Sequence, residues 1–333
     1  MILAPKLKPG DSIGIFSPSS PATATAAVRY QRAKQFLQQK GYRVVEGALT
    51  GRRDGYRSGS IQQRAEELNA LIRNPQVRCI MSAIGGMNSN SLLPYLDYDA
   101  LRRDPKIIVG YSDVTALLLG IHAQTGLVTF YGPAAVASLG EFPPFVDETW
   151  HYFETIAAGK AAVPHLLPTP AEWTEEFLDW SSQNRAKIAQ PNQLLTLQGG
   201  RHTGRLIGGN LNTMQGIWGT PYMPPICPGD ILLIEDSLKD AAAVERSFSL
   251  LKCSGVFDRI GGLILGKHEC FDDLGTGRRP HQILQEVMGK VDFPVLAEFD
   301  CCHTHPMLTM PIGCTVTLDA VAQTVVLEQP GVQ

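Results

Sequence analysis

The sequence predicts an α/β fold with two domains: an N-terminal parallel sheet with helices on both faces, and a C-terminal α/β domain richer in strands. The first half alternates short apolar runs with amphipathic stretches, which is the pattern of a Rossmann-like parallel sheet. The chain has 333 residues, of which 44% are hydrophobic, so it exceeds the usual size of one domain. A proline-rich stretch divides it. We therefore expect domains over residues 1–142 and 201–333, joined by a connecting segment, 143–200, that carries a substrate loop.

The N-terminal elements follow from hydrophobic runs and the residues that break them. Strands are predicted at 12–17, 42–46, 79–84 and 107–110, and helices at 22–40 and 61–73. Gly41 ends the first helix, and Asn74-Pro75 ends the second. Ligands of parallel sheets bind at the carboxyl ends of the strands. Gly85-Gly86 and Ser112 both follow strands, so they are candidates for a binding site.

The second half begins with a polar segment that contains Trp173 and Trp180, and its prolines predict limited regular structure there. Beyond it we predict strands at 230–236, 260–265 and 294–297 and a helix at 241–254.

The composition argues against several classes of protein. The net charge of −3 provides no basic surface for nucleic acid and no polybasic patch for a membrane, so small molecules or peptides are the expected partners. No apolar run approaches the ~18 residues of a membrane span, and the first residues lack the pattern of a signal peptide. The seven cysteines form no C-x-x-C pair. We therefore expect a cytoplasmic protein with buried thiols.

Ser112 is the strongest candidate for a nucleophile. An apolar strand breaks at Gly110, presents this serine, and continues as a helix from about Val114. The glycine permits a sharp turn, and the helix directs its free N–H groups towards the serine oxygen, which supplies half of an oxyanion hole. The motif is not a complete G-x-S-x-G, however. In the alternative interpretation, Ser112 or Asp113 is simply the N-cap of the helix.

A nucleophilic serine needs a base and a carboxylate that orients it. His303 and His305 lie in a loop after a predicted strand, where a catalytic histidine would be held. Glu235 ends the apolar run 231–234, although it and Asp236 could instead begin a turn or cap the following helix. The order Ser, Glu, His permits a triad without establishing one.

Four separated motifs together resemble the serine LD-carboxypeptidase family, over nearly the whole chain. They are Gly110-Tyr111-Ser112-Asp113, the segment 85–94, Leu233-Ile234-Glu235-Asp236-Ser237, and Cys302-His303-Thr304 followed by Pro311-Ile312-Gly313. The resemblance implies a triad of Ser112, Glu235 and His303, and a homodimer. It also implies an oxyanion hole formed by the N–H groups of Gly86 and Asp113. One departure is Cys302, where the family often has glycine.

Within the family, the chain resembles the microcin C self-immunity branch. The carboxypeptidases typically carry an arginine-led R-G-G-Y-G-S segment at the third strand, whereas this chain has Ile84-Gly85-Gly86-Met87-Asn88-Ser89-Asn90. Its residues 237–242 are close to the self-immunity pattern. This branch hydrolyses the bond between an aminoacyl or peptidyl group and a modified AMP. Trp180 resembles the indole that stacks on the nucleobase, although it could be an ordinary core or loop tryptophan. Lys239 could approach the phosphate-bearing end, although isolated lysines are usually solvated.

We also expect Met87, Asn88 and Asn210 to contact the substrate.

Three alternatives stay open. The cluster of Cys301, Cys302, His303 and His305 could suggest a metal, but the spacing does not suit a structural zinc site, and acyl transfer at a serine needs no cofactor. The enzyme could instead be an LD-carboxypeptidase that removes the terminal D-alanine of murein tetrapeptides. The protein could also bind a nucleotide or muropeptide without turnover.

Overall fold

The computed structural model describes residues 1–301 and 303–333. The strands of this described part are β1 Ser12–Phe16, β2 Arg43–Glu46, β3 Val77–Ser82, β4 Ile107–Gly110, β5 Thr129–Tyr131, β6 His165–Leu166, β7 Glu172–Trp173, β8 Gln190–Pro191, β9 Leu195–Gln198, β10 Arg201–Asn210, β11 Ile231–Ser237, β12 Gly262–Glu269, β13 Val295–Phe299, β14 Met310–Ile312, β15 Thr315–Asp319 and β16 Thr324–Leu327. Its α-helices are α1 Ala22–Thr25, α2 Ala27–Gln39, α3 Ile61–Arg73, α4 Tyr98–Arg103, α5 Thr115–Thr125, α6 Phe145–Ala157, α7 Leu211–Gln215, α8 Ala241–Cys253 and α9 Pro280–Met288. Two 3₁₀ turns, Ser89–Tyr95 and Ser112–Val114, and a π turn, Ala135–Leu139, complete it.

The first sheet has the order β14-β5-β4-β3-β1-β2, and all neighbours are parallel except β14 and β5. Every residue of β1 and β4 is buried, which explains why these strands read as continuous apolar runs. The second sheet has the order β6-β16-β15-β10-β11-β12-β13-β9. Its centre, β10 to β13, is parallel and its outer strands are antiparallel. The predicted two-domain α/β fold is thereby confirmed.

Local signals account for the boundaries of some elements. Helix α3 has the predicted bounds because Ser60 and Gln63 form a capping box at its start, and Asn74 leaves the helical conformation at its end. The predicted helix 22–40 is instead divided in two at Ala26, whose ψ of 48° is not helical. None of the helices in the two described ranges has the length and apolar character required to cross a membrane.

The prediction of limited regular structure after residue 142 was wrong at α6. Pro143-Pro144 precede this helix and Pro164 follows it, so the prolines border the helix instead of interrupting it. Its apolar face buries Trp150 and Phe153. The boundaries at 142 and 200 stay a prediction.

Strand β14 positions the site, because it belongs to the C-terminal half of the sequence but pairs with β5 of the first sheet. Met310 is opposite Tyr131, and Gly110 of β4 is opposite the same tyrosine on its other side. The chain that follows His303 therefore returns to the sheet that carries Ser112, next to β5.

Candidate active site

Ser112 lies on a tight turn between β4 and α5. Its φ of 61° is in the left-handed region, which is unusual for a residue other than glycine and indicates local backbone strain. Two glycines make room for this turn: a Cβ at Gly85 would lie 2.8 Å from Ser112 Cβ, and one at Gly110 would lie 2.5 Å from Ser82 Oγ. Neither Ser112 nor Asp113 caps a helix with its side chain, so the N-cap interpretation was wrong.

The Asp113 side chain instead fixes the loop that faces Ser112. Its Oδ2 atom accepts hydrogen bonds from the N–H groups of Asn88, at 3.0 Å, and Ser89, at 2.9 Å. Ser19 Oγ accepts another from the N–H of Met87 at 3.0 Å. Gly86, immediately before these anchors, has a φ of 145°, and a Cβ there would overlap the Ser19 hydroxyl. Only glycine fits that backbone.

Glu235 and His303 form a hydrogen-bonded pair at the end of β11. The distance from His303 Nδ1 to Glu235 Oε2 is 2.7 Å, and the glutamate is fully buried. Its other oxygen, Oε1, accepts hydrogen bonds from Asn210 Nδ2, at 3.0 Å, and from the hydroxyl of Tyr131. The ring of Tyr111 meets the imidazole edge to face, with centroids 4.9 Å apart. The orientation of His303 is thus fixed from two sides.

The electrostatics of this pair keep the carboxylate charged. Burial raises the pKa of Glu235, but the charge and hydrogen bond of His303, together with the bonds from Tyr131 and Asn210, outweigh it and lower the pKa below its usual value. Burial lowers the pKa of His303, but the charge and hydrogen bond of Glu235 outweigh it and raise the pKa. The carboxylate therefore stabilises the protonated imidazole.

A cavity of about 310 Å³ brings most of the predicted residues together, and we call it the Ser112 cavity. Its lining includes Gly86, Met87, Ser112, Trp180, Asn210, Lys239 and His303. The predicted contact Asn88 lies outside this lining, because its Oδ1 atom accepts hydrogen bonds from Arg64, at 2.7 Å, and Ser19, at 3.1 Å. The side chain of Asn88 therefore supports the loop.

The three predicted substrate contacts Trp180, Lys239 and Asn210 have different surroundings. The guanidinium of Arg29 lies 4.9 Å from the centroid of the Trp180 ring. Lys239 Nζ is 3.6 Å from an oxygen of Asp236, and about a quarter of the lysine side chain is exposed. Asn210 is engaged with protein groups at both ends of its amide: Nδ2 bonds Glu235, and Oδ1 accepts from the N–H of Thr213 and caps α7.

Sequence reasoning missed several residues of the site. These are Tyr131, beside Glu235, and Phe177, Lys187, Asn212 and Glu269 in the cavity lining. Glu269 could have been found, because it ends β12, the parallel neighbour of β11, at the same edge of the sheet. Lys187 does not follow a parallel strand, so no local pattern in the sequence points to the site.

The cysteine and histidine cluster around residue 302 does not assemble a metal centre in the part of the chain that the structure covers. No group of three His, Cys, Asp or Glu side chains there could hold a metal ion. His303 is bonded to Glu235, and burial lowers the pKa of His305 well below its usual value. Cys302, which stands where the family often has glycine, lies outside the described residues.

Comparisons with known proteins identify the family of the chain. The model of the LD-carboxypeptidase N-terminal domain matches residues 13–132, and that of the LD-carboxypeptidase C-terminal domain matches residues 203–318. The chain belongs to the LD-carboxypeptidase family. It is therefore a hydrolase of the serine peptidase class.

Two relatives are similar to this chain over nearly its whole length. It is 60% identical to a putative carboxypeptidase of Vibrio cholerae over 96% of this chain and 95% of that protein. It is 53% identical to the microcin C7 self-immunity protein MccF of Escherichia coli, over 96% of this chain and 93% of that one. The structure of MccF in complex with aspartyl sulfamoyl adenosine superposes with a TM-score of 0.98, at 51% identity and complete coverage of both chains.

Proposed function

We propose that this protein hydrolyses the amide-type bond between an aminoacyl or peptidyl group and a modified nucleotide, and so detoxifies microcin C-like analogues of aminoacyl-adenylates. The observation that carries the proposal is the likeness to MccF, which has been solved with aspartyl sulfamoyl adenosine. The Ser112 cavity supports it, since it places a serine, a histidine and a tryptophan around one space.

In the proposed mechanism Ser112 attacks the acyl carbonyl while His303 takes its proton, and Glu235 holds the imidazole in the required tautomer. The N–H groups of Gly86 and Asp113 stabilise the oxyanion of the tetrahedral intermediate. His303 then protonates the leaving nitrogen, and the acyl group stays on Ser112 until water, activated by the same histidine, releases it. The buried charge of Glu235 stabilises the imidazolium in both steps.

The test of the proposal is a comparison of two substrates on the wild-type protein. We expect chromatography to show cleavage of aspartyl sulfamoyl adenosine, and no release of D-alanine from a murein tetrapeptide. Cleavage of the tetrapeptide alone would contradict the proposal and favour the second candidate, an LD-carboxypeptidase, which the name of the family supports. Binding of aspartyl sulfamoyl adenosine without turnover would also contradict it.

Trp180 supplies the nucleobase contact in this proposal. We expect Trp180→Ala to raise KM for aspartyl sulfamoyl adenosine about 5- to 150-fold, with kcat nearly unchanged, because stacking on a base contributes roughly 1–3 kcal/mol. Steady-state kinetics measure both constants.

Trp173→Ala is the matched control, since Trp173 also lies under a cation, with Lys267 Nζ 5.0 Å from its ring centroid, but outside the lining of the Ser112 cavity. It should leave KM unchanged. Equal values of KM in wild type and Trp180→Ala would exclude the stacking role.

The remaining expectations, a homodimer in the cytoplasm, stay predictions. Size-exclusion chromatography with light scattering would measure the oligomeric state.

A further inference from the structure

One hydroxyl joins the turn of Ser112 to the buried carboxylate of Glu235. Tyr131, the last residue of β5, is fully buried. Its hydroxyl oxygen accepts a hydrogen bond from the N–H of Ser112 at 3.3 Å and donates one to Glu235 Oε1. Ser112 belongs to the first sheet's half of the site and Glu235 to the second sheet's, so this hydroxyl connects the two halves.

The tyrosine is held by every segment that carries a member of the proposed triad. Its backbone is in register with Gly110, two residues before Ser112, and with Met310, on the strand that follows the loop of His303. From the second sheet, Gly209 approaches so closely that an added Cβ would lie 3.1 Å from Tyr131 Cε2. Gly209 is opposite Ile234 of β11, immediately before Glu235. The ring therefore has little freedom to move.

Each of the two hydrogen bonds of the Tyr131 hydroxyl satisfies a group that has few other hydrogen-bond partners. The strained φ of Ser112 turns its N–H out of any regular helix or strand pattern, and the tyrosine oxygen gives that donor an acceptor. Glu235 is buried, so each donor to its oxygens reduces the cost of keeping it ionised. Burial, reinforced by the charge of Glu235, raises the pKa of Tyr131 well above its usual value. The phenol stays protonated and able to donate.

We propose that Tyr131 is a positioning residue that holds the Ser112 turn and tunes the carboxylate facing His303. The proposal rests on the triad of the proposed function. Tyr131 lies outside the lining of the Ser112 cavity, so its effect is exerted through Ser112 and Glu235.

The charge on Glu235 decides in which direction the pKa of His303 changes when the Tyr131 hydroxyl is removed. A hydroxyl that donates to Glu235 spreads part of its negative charge, so removing the hydroxyl leaves more charge to stabilise the imidazolium. The pKa of His303 should then rise. Other titratable groups also act on His303. Glu269 and Asp236 face it and raise its pKa, and His305 and His268 interact with it electrostatically. Tyr131→Phe removes none of these groups.

The test is Tyr131→Phe, examined by kinetics and by NMR. We expect kcat to fall about 10- to 100-fold with KM little changed, since a displaced nucleophile loses attack geometry. We also expect the acid limb of the kcat/KM profile to move up by roughly half a pH unit. The NMR titration of the His303 imidazole in ligand-free protein should move in the same direction, and it requires no substrate. Failure of the proposed function is therefore distinguishable from failure of this inference.

Tyr98→Phe is the matched control, because Tyr98 also donates a hydroxyl hydrogen bond, to Leu93 O at 2.7 Å, away from the Ser112 cavity. It should destabilise the fold without moving the titration of His303. A second variant carries 3-fluorotyrosine at position 131, whose more acidic phenol donates more strongly. It should move the titration of His303 downward. An unchanged titration in both position-131 variants, or a shift equal to that of Tyr98→Phe, would overturn the proposal.

Discussion

Ser112→Ala is expected to abolish hydrolysis of aspartyl sulfamoyl adenosine while leaving its binding nearly intact. The variant keeps the Cβ atom that packs against Gly85, so the turn and the N–H groups of Gly86 and Asp113 should stay in place. Only the attacking oxygen is lost, and loss of a serine nucleophile costs on the order of 10⁶-fold in kcat. Chromatography of the reaction and calorimetry of the complex measure the two effects.

The wild type offers an independent check of the same role. Reactions stopped with acid should contain a peptide that includes Ser112 and carries the mass of the acyl group, because the mechanism passes through an acyl-enzyme. Ser247→Ala is a suitable control, since Ser247 Oγ donates to Ala243 O at 2.8 Å within α8, outside the cavity lining. Retained turnover in Ser112→Ala would remove the serine from the mechanism.

Residues that follow strands could be predicted because their signals are local. Ser112 comes after an apolar strand and a glycine, and Glu235 ends the apolar run of β11. In a parallel sheet the direction of each strand then decides the edge at which such a residue emerges. His303 needed the resemblance to the family in addition, since its loop alone did not distinguish it from His305.

Contacts between distant segments could not be predicted in this way. The sequence analysis predicted no strand at Tyr131, and its contacts with Ser112 and Glu235 depend on how β5 lies between β4 and β14, which no local pattern specifies. Asn88 was expected to contact the substrate, but its amide oxygen instead accepts a hydrogen bond from the guanidinium of Arg64, from α3. Both cases depend on tertiary packing between elements far apart in sequence.

Glu235→Gln is expected to reduce kcat about 10³- to 10⁴-fold, because its amide either selects the wrong imidazole tautomer or places its NH₂ against another donor. If its NH₂ faces His303 Nδ1, the imidazole is held with its proton on Nε2 and cannot accept one from Ser112. If the NH₂ faces the other way, it meets Asn210 Nδ2, which is itself a donor. The kcat/KM profile measured against pH reports both the loss and its cause.

The direction of the pH effect separates this substitution from that of Tyr131. The charge of Glu235 raises the pKa of His303, so Glu235→Gln should move the acid limb of kcat/KM to lower pH, whereas Tyr131→Phe should move it higher. Asp230→Asn is the matched control: this buried carboxylate precedes β11 and pairs with Arg205 at 2.6 Å. It should lower the unfolding temperature and leave the profile in place. If Glu235→Gln matched Asp230→Asn in rate and in profile, Glu235 would have no part in setting the basicity of His303.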